Sequence, residues 1–272
     1  MAFYYEVQFN NISAENSEIL IALLSATNTN GIEELDNSLK VFFNEADFKE
    51  EEIAGMAGTV QAAYEVKKVE EENWNRLWES NFNPVTVENW VAVRADFHEP
   101  ITNVVHEIVI TPKMSFGTGH HATTYMMLEQ MQQLEMTGKK VFDFGTGTGV
   151  LAILAHKMGA TDITAVDYDE WSIENTRENI TRNHTGGIKL IKSDTAELDQ
   201  RFDVILANIN KNVILDNMEI LARELEPGGT IFFSGLLIED EQDIVTAAQK
   251  QGLQLVKVAE RNKWLFINML KP

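Results

Sequence analysis

The chain opens on alternation. Phe3, Tyr5, Val7 and Phe9 point every second residue one way, which predicts a half-buried strand. Ser13 then stands where a helix cap would, ahead of Ile19, Leu20, Leu23 and Leu24 on one helical face. Asn28 to Gly31 breaks that helix. A strand over Ile32 to Leu35, a turn at Asp36-Asn37 and a strand over Leu39 to Phe43 follow. A helix is predicted from Ala46 to Ala54, with Gly55 and Gly58 at its end, and a strand from Gln61 to Val69. The order β-α-β-β-α-β is that of a ferredoxin-like split unit.

Trp74, Leu77 and Trp78 fall at i, i+3, i+4, which predicts a short amphipathic connecting helix. Pro84 stops it. Thr86 to Ala95 and Glu107 to Thr111 read as strands. From about Lys139 the pattern changes to strand–helix alternation. Strands are expected at Val141–Phe144, Ile163–Asp167, Ile188–Lys192, Phe202–Asn208, Ile231–Gly235, Leu253–Ala259 and Trp264–Met269. Helices lie between the first five, among them Val150–Met158 and Trp171–Asn183, and Pro227-Gly228-Gly229 makes a tight turn before the fifth strand. Such alternation gives an α/β fold with a mostly parallel sheet covered on both faces. The short Arg261-Asn262 turn joins the last two strands and adds one antiparallel strand. The expected domains are residues 1–66, a linker over 67–81, and a larger α/β domain over 82–272.

Composition sharpens this division. The 272 residues carry 22 Lys+Arg against 42 Asp+Glu, a net charge of −20. Residues 1–64 hold 11 acidic and 2 basic side chains, so the first unit is far more acidic per residue than the rest. That balance disfavours gripping nucleic acid and suits a basic protein partner, or serves solubility alone. With 0 Cys, disulfides, thiolate zinc sites and cysteine nucleophiles are excluded. The amino terminus has no signal-peptide pattern and no apolar run is long enough to span a bilayer, so a cytoplasmic protein without membrane attachment is expected.

The candidate chemistry lies in Val141-Phe-Asp143-Phe-Gly145-Thr-Gly147-Thr-Gly149-Val, a strand, a glycine turn and a helix start. The spacing Gly-x-Gly-x-Gly is not the Gly-x-Gly-x-x-Gly that seats a pyrophosphate on a helix end. Asp143 before the turn repels an anion and suits a cationic or amino-bearing ligand. Asp167 ends the second strand, where a carboxylate accepts from ribose hydroxyls; alone it could cap the next helix, but combined with the glycine turn the ribose reading wins. Asp194, after the third strand, could reach an adenine amino group or simply form a Ser-Asp-Thr turn. Asn208 ends the fourth strand and offers both an acceptor and a donor for orienting a substrate amine. Ahead of the first of these strands, Ser115-Phe-Gly-Thr-Gly-His-His-Ala-Thr-Thr124 reads as a loop that closes over a small ligand. Adjacent His120 and His121 make a poor metal pair, and no metal is expected.

These motifs resemble the class I S-adenosylmethionine methyltransferases, and Phe116-Gly-Thr-Gly-His-His-Ala-Thr-Thr124 resembles the bacterial methyltransferases of ribosomal protein L11. Trp74/Trp78, Phe82-x-Pro84 and Ser234-Gly235-Leu-Leu fit the same family. The resemblance implies a Rossmann-like seven-stranded catalytic domain, a small α+β substrate-recognition domain, and S-adenosylmethionine as cofactor. By motif position Thr124, Gly145, Asp167 and Asn208 would contact the cofactor, with Asp143, Gly147 and Asp194 beside them. Phe116, Gly117, Thr118, Gly119 and His121 would form the loop over it. The implied reaction is N-methylation of Lys or α-amino groups of ribosomal protein L11; a monomer is expected, and from the acidic balance no direct nucleic-acid binding. Asn208 would aim the amine, with no single general base assigned. The same fold could instead act on another basic protein, RNA or a small molecule, or be a cofactor-binding module without turnover; a nicotinamide dehydrogenase is the remotest reading. Two departures stand out: Asn208-Ile209-Asn210-Lys211-Asn212 replaces the commoner Asn-Ile-Leu-Ala-Gly, and Ala122 replaces a frequent Pro.

Overall fold

The computed structural model describes residues 3–25, 27–35, 37–70, 82–113 and 115–272. The chain forms two compact units, Met1–Asn81 and Phe82–Pro272. The connecting helix expected around Trp74 and Trp78 lies outside the described residues.

The first unit runs β1 (Phe3–Asn10), α1 (Ala14–Leu24), β2 (Gly31–Leu35), β3 (Ser38–Asn44), α2 (Glu50–Val60) and β4 (Ala63–Glu70). Its antiparallel sheet has the order β2-β3-β1-β4. Alternate residues Val7, Phe9, Leu39, Val41 and Phe43 bury one sheet face against Leu20, Leu24, Ile53, Ala57 and Val60. Ser13 caps α1, accepting from the Asn16 N–H at 3.2 Å. The apolar face differs from the expectation: Ile19 is exposed, and Ser17, Leu20 and Leu24 point inward. The second helix also differs. It starts at Glu50, where three glutamates favour the positive helix end, and runs through Gly55 and Gly58 to a left-handed cap at Gln61 (φ 51°). Neither glycine meets anything a Cβ would touch, so neither stops the helix. Residues 67–70, assigned to the linker above, belong to β4, because they pair with Phe3 to Glu6 of β1.

The second unit begins with a three-stranded sheet of β5 (Val85–Val87), β6 (Val91–Ala95) and β7 (His106–Ile110). The single strand expected over Thr86 to Ala95 is a hairpin. Glu88 takes φ 49° and the Trp90 N–H returns to the Val87 carbonyl at 3.0 Å, which folds β5 back on β6. Then come α3 (Ala122–Met131), β8 (Lys140–Phe144), α4 (Val150–Lys157), β9 (Asp162–Asp167), α5 (Glu170–Arg182), β10 (Ile188–Lys192), β11 (Phe202–Asn208), α6 (Lys211–Glu224), β12 (Leu225–Leu237), α7 (Glu241–Lys250), β13 (Gln254–Arg261) and β14 (Trp264–Leu270).

Strands β8 to β14 form one seven-stranded sheet in the order β10-β9-β8-β11-β12-β14-β13, with β14 antiparallel to both neighbours. The strand order reverses between β8 and β11, where open α/β sheets bind ligands beyond the carboxyl ends of their strands. Central β8 is buried on both faces because helices cover both, with Asp143 its one buried polar side chain, and Val150 to Ala155 of α4 are all buried. Pro227-Gly228-Gly229 sits within β12 as an irregular entry, with Gly228 at φ 78° and its N–H on the Lys271 carbonyl. A second irregularity at Gly235 lets the strand pass Ile209: a Cβ there would stand 2.4 Å from the Ile209 carbonyl oxygen.

Candidate functional site

The glycine turn after β8 is built from three residues in the left-handed region, Gly145 (φ 79°), Gly147 (φ 57°) and Gly149 (φ 82°). The need for glycine is steric as well as conformational at Gly147, where a Cβ would lie 2.3 Å from the Phe116 carbonyl oxygen. The turn's N–H groups are all spent internally. Gly145 and Thr146 both donate to the Val166 carbonyl at 2.9 Å, Thr148 to that of Phe116 at 2.9 Å and Gly149 to that of Thr146 at 2.8 Å. Gly147 donates to Asp167 Oδ2 at 2.9 Å. No amide of this turn itself remains to cradle a phosphate.

Acceptors, by contrast, converge here. Asp167 is 8% exposed; besides Gly147 it accepts from the Asp169 N–H through Oδ1 at 3.1 Å, and lone pairs remain on both oxygens. The helix-cap role weighed for it belongs to Asp169, which accepts from the Ser172 N–H at 2.9 Å. Asp143 is fully buried. Its Oδ2 accepts from the Thr146 hydroxyl at 2.6 Å and the Ala152 N–H at 3.2 Å, while Oδ1 has no partner. Burial pushes this carboxyl up to about 7, against the pull of those two donors, and Asp167 adds to the rise. Asn208 ends β11 next to Ser234 of β12. Its Nδ2 donates to the Thr124 hydroxyl at 3.2 Å, and its Oδ1 is buried without a partner.

The loop ahead of α3 is pinned to the turn from outside. Thr148 grips it twice, through its N–H on Phe116 and its hydroxyl on the Gly117 carbonyl at 2.7 Å. Gly117 (φ 109°) is required there, since a Cβ would meet Thr148 Oγ1 at 2.8 Å. The Phe116 side chain stays 52% exposed, its ring edge-on to His121. The two histidines have separate duties. His120 bridges the Asn83 carbonyl at 2.8 Å and the Thr118 hydroxyl at 3.0 Å, so Nε2 donates and Nδ1 accepts. His121 caps α3, with Nδ1 accepting from the Thr123 N–H at 3.4 Å. Burial lowers its pKa, which keeps the ring neutral and able to accept. Among the described residues no group of three or more His, Asp or Glu side chains is placed to hold a metal. Gly119 is buried against Val85.

The fold thus brings Thr124, Asp143, Gly145, Gly147, Asp167 and Asn208 to one end of the sheet, with Phe116, Gly117 and Thr118 in the loop beside them. Asp194 is exposed in the turn after β10. The Ser193 N–H donates to the Asp167 carbonyl at 3.0 Å and places that turn beside β9, while Ser193 and Thr195 bond each other as a Ser-Asp-Thr turn should. Asn210, part of the departure noted above, is the cap of α6, accepting from the Val213 N–H at 3.2 Å. Lys211 beside it is held by Asp240 and Asp243 at 3.0 and 2.6 Å. Sequence reasoning missed Thr148 and the polar face of α5, where Thr176 donates to the Gly147 carbonyl at 2.7 Å. The only sequence signal for that face is Asn at 175, 179 and 183, one side of a helix where apolar residues belong.

Comparison with known proteins adds an independent line. A family model described as Ribosomal protein L11 methyltransferase (PrmA) matches residues 6–272. The ribosomal protein L11 methyltransferase of Phocaeicola vulgatus is 33% identical over 277 residues, covering 98% of this chain and 99% of that protein. That of Porphyromonas gingivalis is 42% identical over 195 residues, covering 71% and 67%. Among solved structures, a ribosomal protein L11 methylase from Lactobacillus delbrueckii subsp. bulgaricus superposes with a TM-score of 0.65 at 27% identity. It covers 70% of this chain and 100% of that one.

Proposed function

The chain belongs to the ribosomal protein L11 methyltransferase family, and we propose that it transfers methyl groups from S-adenosylmethionine to amino groups of ribosomal protein L11, Lys side chains or the α-amine. One observation carries the assignment of its residues: the turn's donors are spent, while Asp143, Asp167 and Asn208 leave acceptor capacity at the same sheet end. An acceptor-rich site fits a cationic cofactor whose hydroxyls and amino groups are donors.

Asp167 would take the ribose hydroxyls, and Asp143 Oδ1 and the exposed Asp194 offer acceptors to amino groups. Gly145 and Gly147 present backbone that no side chain could replace, and Phe116, Gly117 and Thr118 supply the loop. Thr124 holds Asn208. Bound in this site, S-adenosylmethionine supplies a methyl group already activated on its sulfonium.

The protein's own task is to present a neutral amine in line. Asn208 Oδ1, stripped of water and unpartnered, accepts an amine N–H and so turns the lone pair away from itself. The groups packed on that oxygen must part slightly for the amine to arrive. A Lys ammonium, pKa about 10.4 in water, loses its proton more readily once desolvated beside a positive sulfonium. His121 Nδ1 is committed to its cap, so no base on this chain is assigned. We place the reaction in the cytoplasm, where ribosomal proteins are made. Among the described residues no helix is long and apolar enough to cross a membrane.

Mass spectrometry of ribosomal protein L11 after incubation with the full chain and S-adenosylmethionine tests the reading. Mass increments of whole methyl groups on Lys or the α-amine are expected. An unmodified substrate under conditions where the cofactor binds would overturn it.

A further inference from the structure

We propose that Asn179, on helix α5, is the positioning residue of the cofactor cleft: its single amide holds the glycine turn and the root of the covering loop in one fixed relation. The proposal rests on the reading of this cleft as the S-adenosylmethionine site.

Asn179 is fully buried. Its Oδ1 accepts from the Thr111 N–H at 2.8 Å, and its Nδ2 donates to the Thr148 carbonyl at 2.8 Å. The amide has only one workable orientation. Reversed, it would set its amine against an N–H and its oxygen against a carbonyl. Thr111 directly follows β7 and begins the stretch that leads to the loop. Five residues later Phe116 accepts from the Thr148 N–H, and Gly117 accepts from the Thr148 hydroxyl. A closed ring results: Asn179 to Thr111, along the chain to Phe116, across to Thr148, and back to Asn179.

Its neighbours on α5 do related but separable work. Asn175 Nδ2 donates to the Thr111 carbonyl at 3.1 Å. Asn183 takes both backbone groups of Val109, accepting from the N–H at 2.9 Å and donating to the carbonyl at 2.6 Å. These asparagines stand in for a strand along the β7 edge that β6 does not pair. Asn183 is 7% exposed and its amide bonds both backbone groups of Val109 and the Asn179 carbonyl, yet it does not touch the glycine turn. That makes it the natural control: it too is buried and tied to the β7 edge, but it has no link to Thr148.

The test compares Asn179→Ala with Asn183→Ala in the full chain, following melting temperature, S-adenosylhomocysteine affinity by calorimetry, and amide exchange at Thr148. Both variants should melt lower. Asn179→Ala should weaken S-adenosylhomocysteine by about tenfold or more, since a small displacement of a binding group is costly, and should speed exchange of the Thr148 N–H, which Asn179 does not itself touch. Asn183→Ala should change neither beyond its loss of stability. Equal effects of the two variants, or unchanged affinity in Asn179→Ala, overturn the proposal. If Asn179→Ala does not fold, the isosteric Asn179→Asp decides: it still accepts from Thr111 but turns an acceptor on the Thr148 carbonyl, and wild-type affinity in it overturns the proposal equally. Absence of S-adenosylhomocysteine binding in the unaltered chain would sink the functional reading instead, which separates the two failures.

Discussion

The Asn208 amide nitrogen donates to the Thr124 hydroxyl at 3.2 Å across 84 positions of sequence, and the amide oxygen is left buried without a partner. An unpaired buried acceptor costs on the order of 1–3 kcal/mol, so a donor that arrives there recovers what folding gave up. Asn208→Ala should therefore lower the rate of methyl transfer by about 10²-fold, as loss of a preorganised polar group does. Thr124→Val should lower it less, and Thr124→Ser should retain most of it. Single-turnover transfer to ribosomal protein L11 checks the order; an undiminished rate in Asn208→Ala would remove Asn208 from the chemistry.

Gly147→Ala places a methyl 2.3 Å from a backbone oxygen at a residue with φ 57°. Backbone cannot swing aside as a side chain can, so turn and loop must separate. We expect cofactor binding to disappear from calorimetry while circular dichroism stays that of a folded α/β protein. Gly58→Ala, on the exposed face of α2 with nothing within 4 Å of its Cβ, should be neutral or slightly stabilising.

Asp143 gives a pH signature. Its carboxyl is raised from 3.8 to about 7 in the folded chain, so between those values the folded state binds the extra proton. The stability this group contributes is full below about 3.8 and is lost as pH rises through about 7. Asp143→Asn removes that dependence. Melting temperatures followed from about pH 5 to about pH 8, through the upper part of this window, should fall less steeply in Asp143→Asn than in the unaltered chain. Parallel curves would show that Asp143 ionises without strain.

The acidic first unit can be probed more selectively than its charge count suggests. Glu34 accepts from the Ser17 hydroxyl at 2.9 Å and Glu52 pairs with Lys49 at 2.8 Å, so both have structural partners. Glu33, Glu50 and Glu51 have none among the described residues. The triple Gln variant at those three positions should raise KM for ribosomal protein L11, most at low salt, and leave S-adenosylhomocysteine affinity unchanged. A KM independent of salt in both proteins would mean that the acidity serves solubility.

Much of the site was legible because its signals are local. A glycine that must take positive φ, a carboxylate at a strand end and an Asn at the next strand end each announce themselves within a few residues. The central strands of the large sheet were legible too, since strands buried on both faces read as largely apolar runs. Where the reading went astray, the deciding interaction was not in the composition of the segment. The Glu88 turn that splits β5 from β6 carries no Gly or Pro, and Gly55 and Gly58 look like helix ends but face open space.

By itself the sequence determined the two-unit layout, the alternation that dictates a parallel sheet, and the identity of the groups at the strand ends, because hydrophobic period and backbone sterics act over neighbouring residues. Only the tertiary structure decided which of those groups are spent and which are free. The Gly147 N–H on Asp167, the Asn208 amide on Thr124, and the links of Asn179 to Thr111 and Thr148 join residues 20 to 84 positions apart, and the orphaned oxygens of Asp143 and Asn208 are set by what packs around them. Hydrogen-bond satisfaction is a property of what surrounds a group in space, and a linear pattern does not carry it.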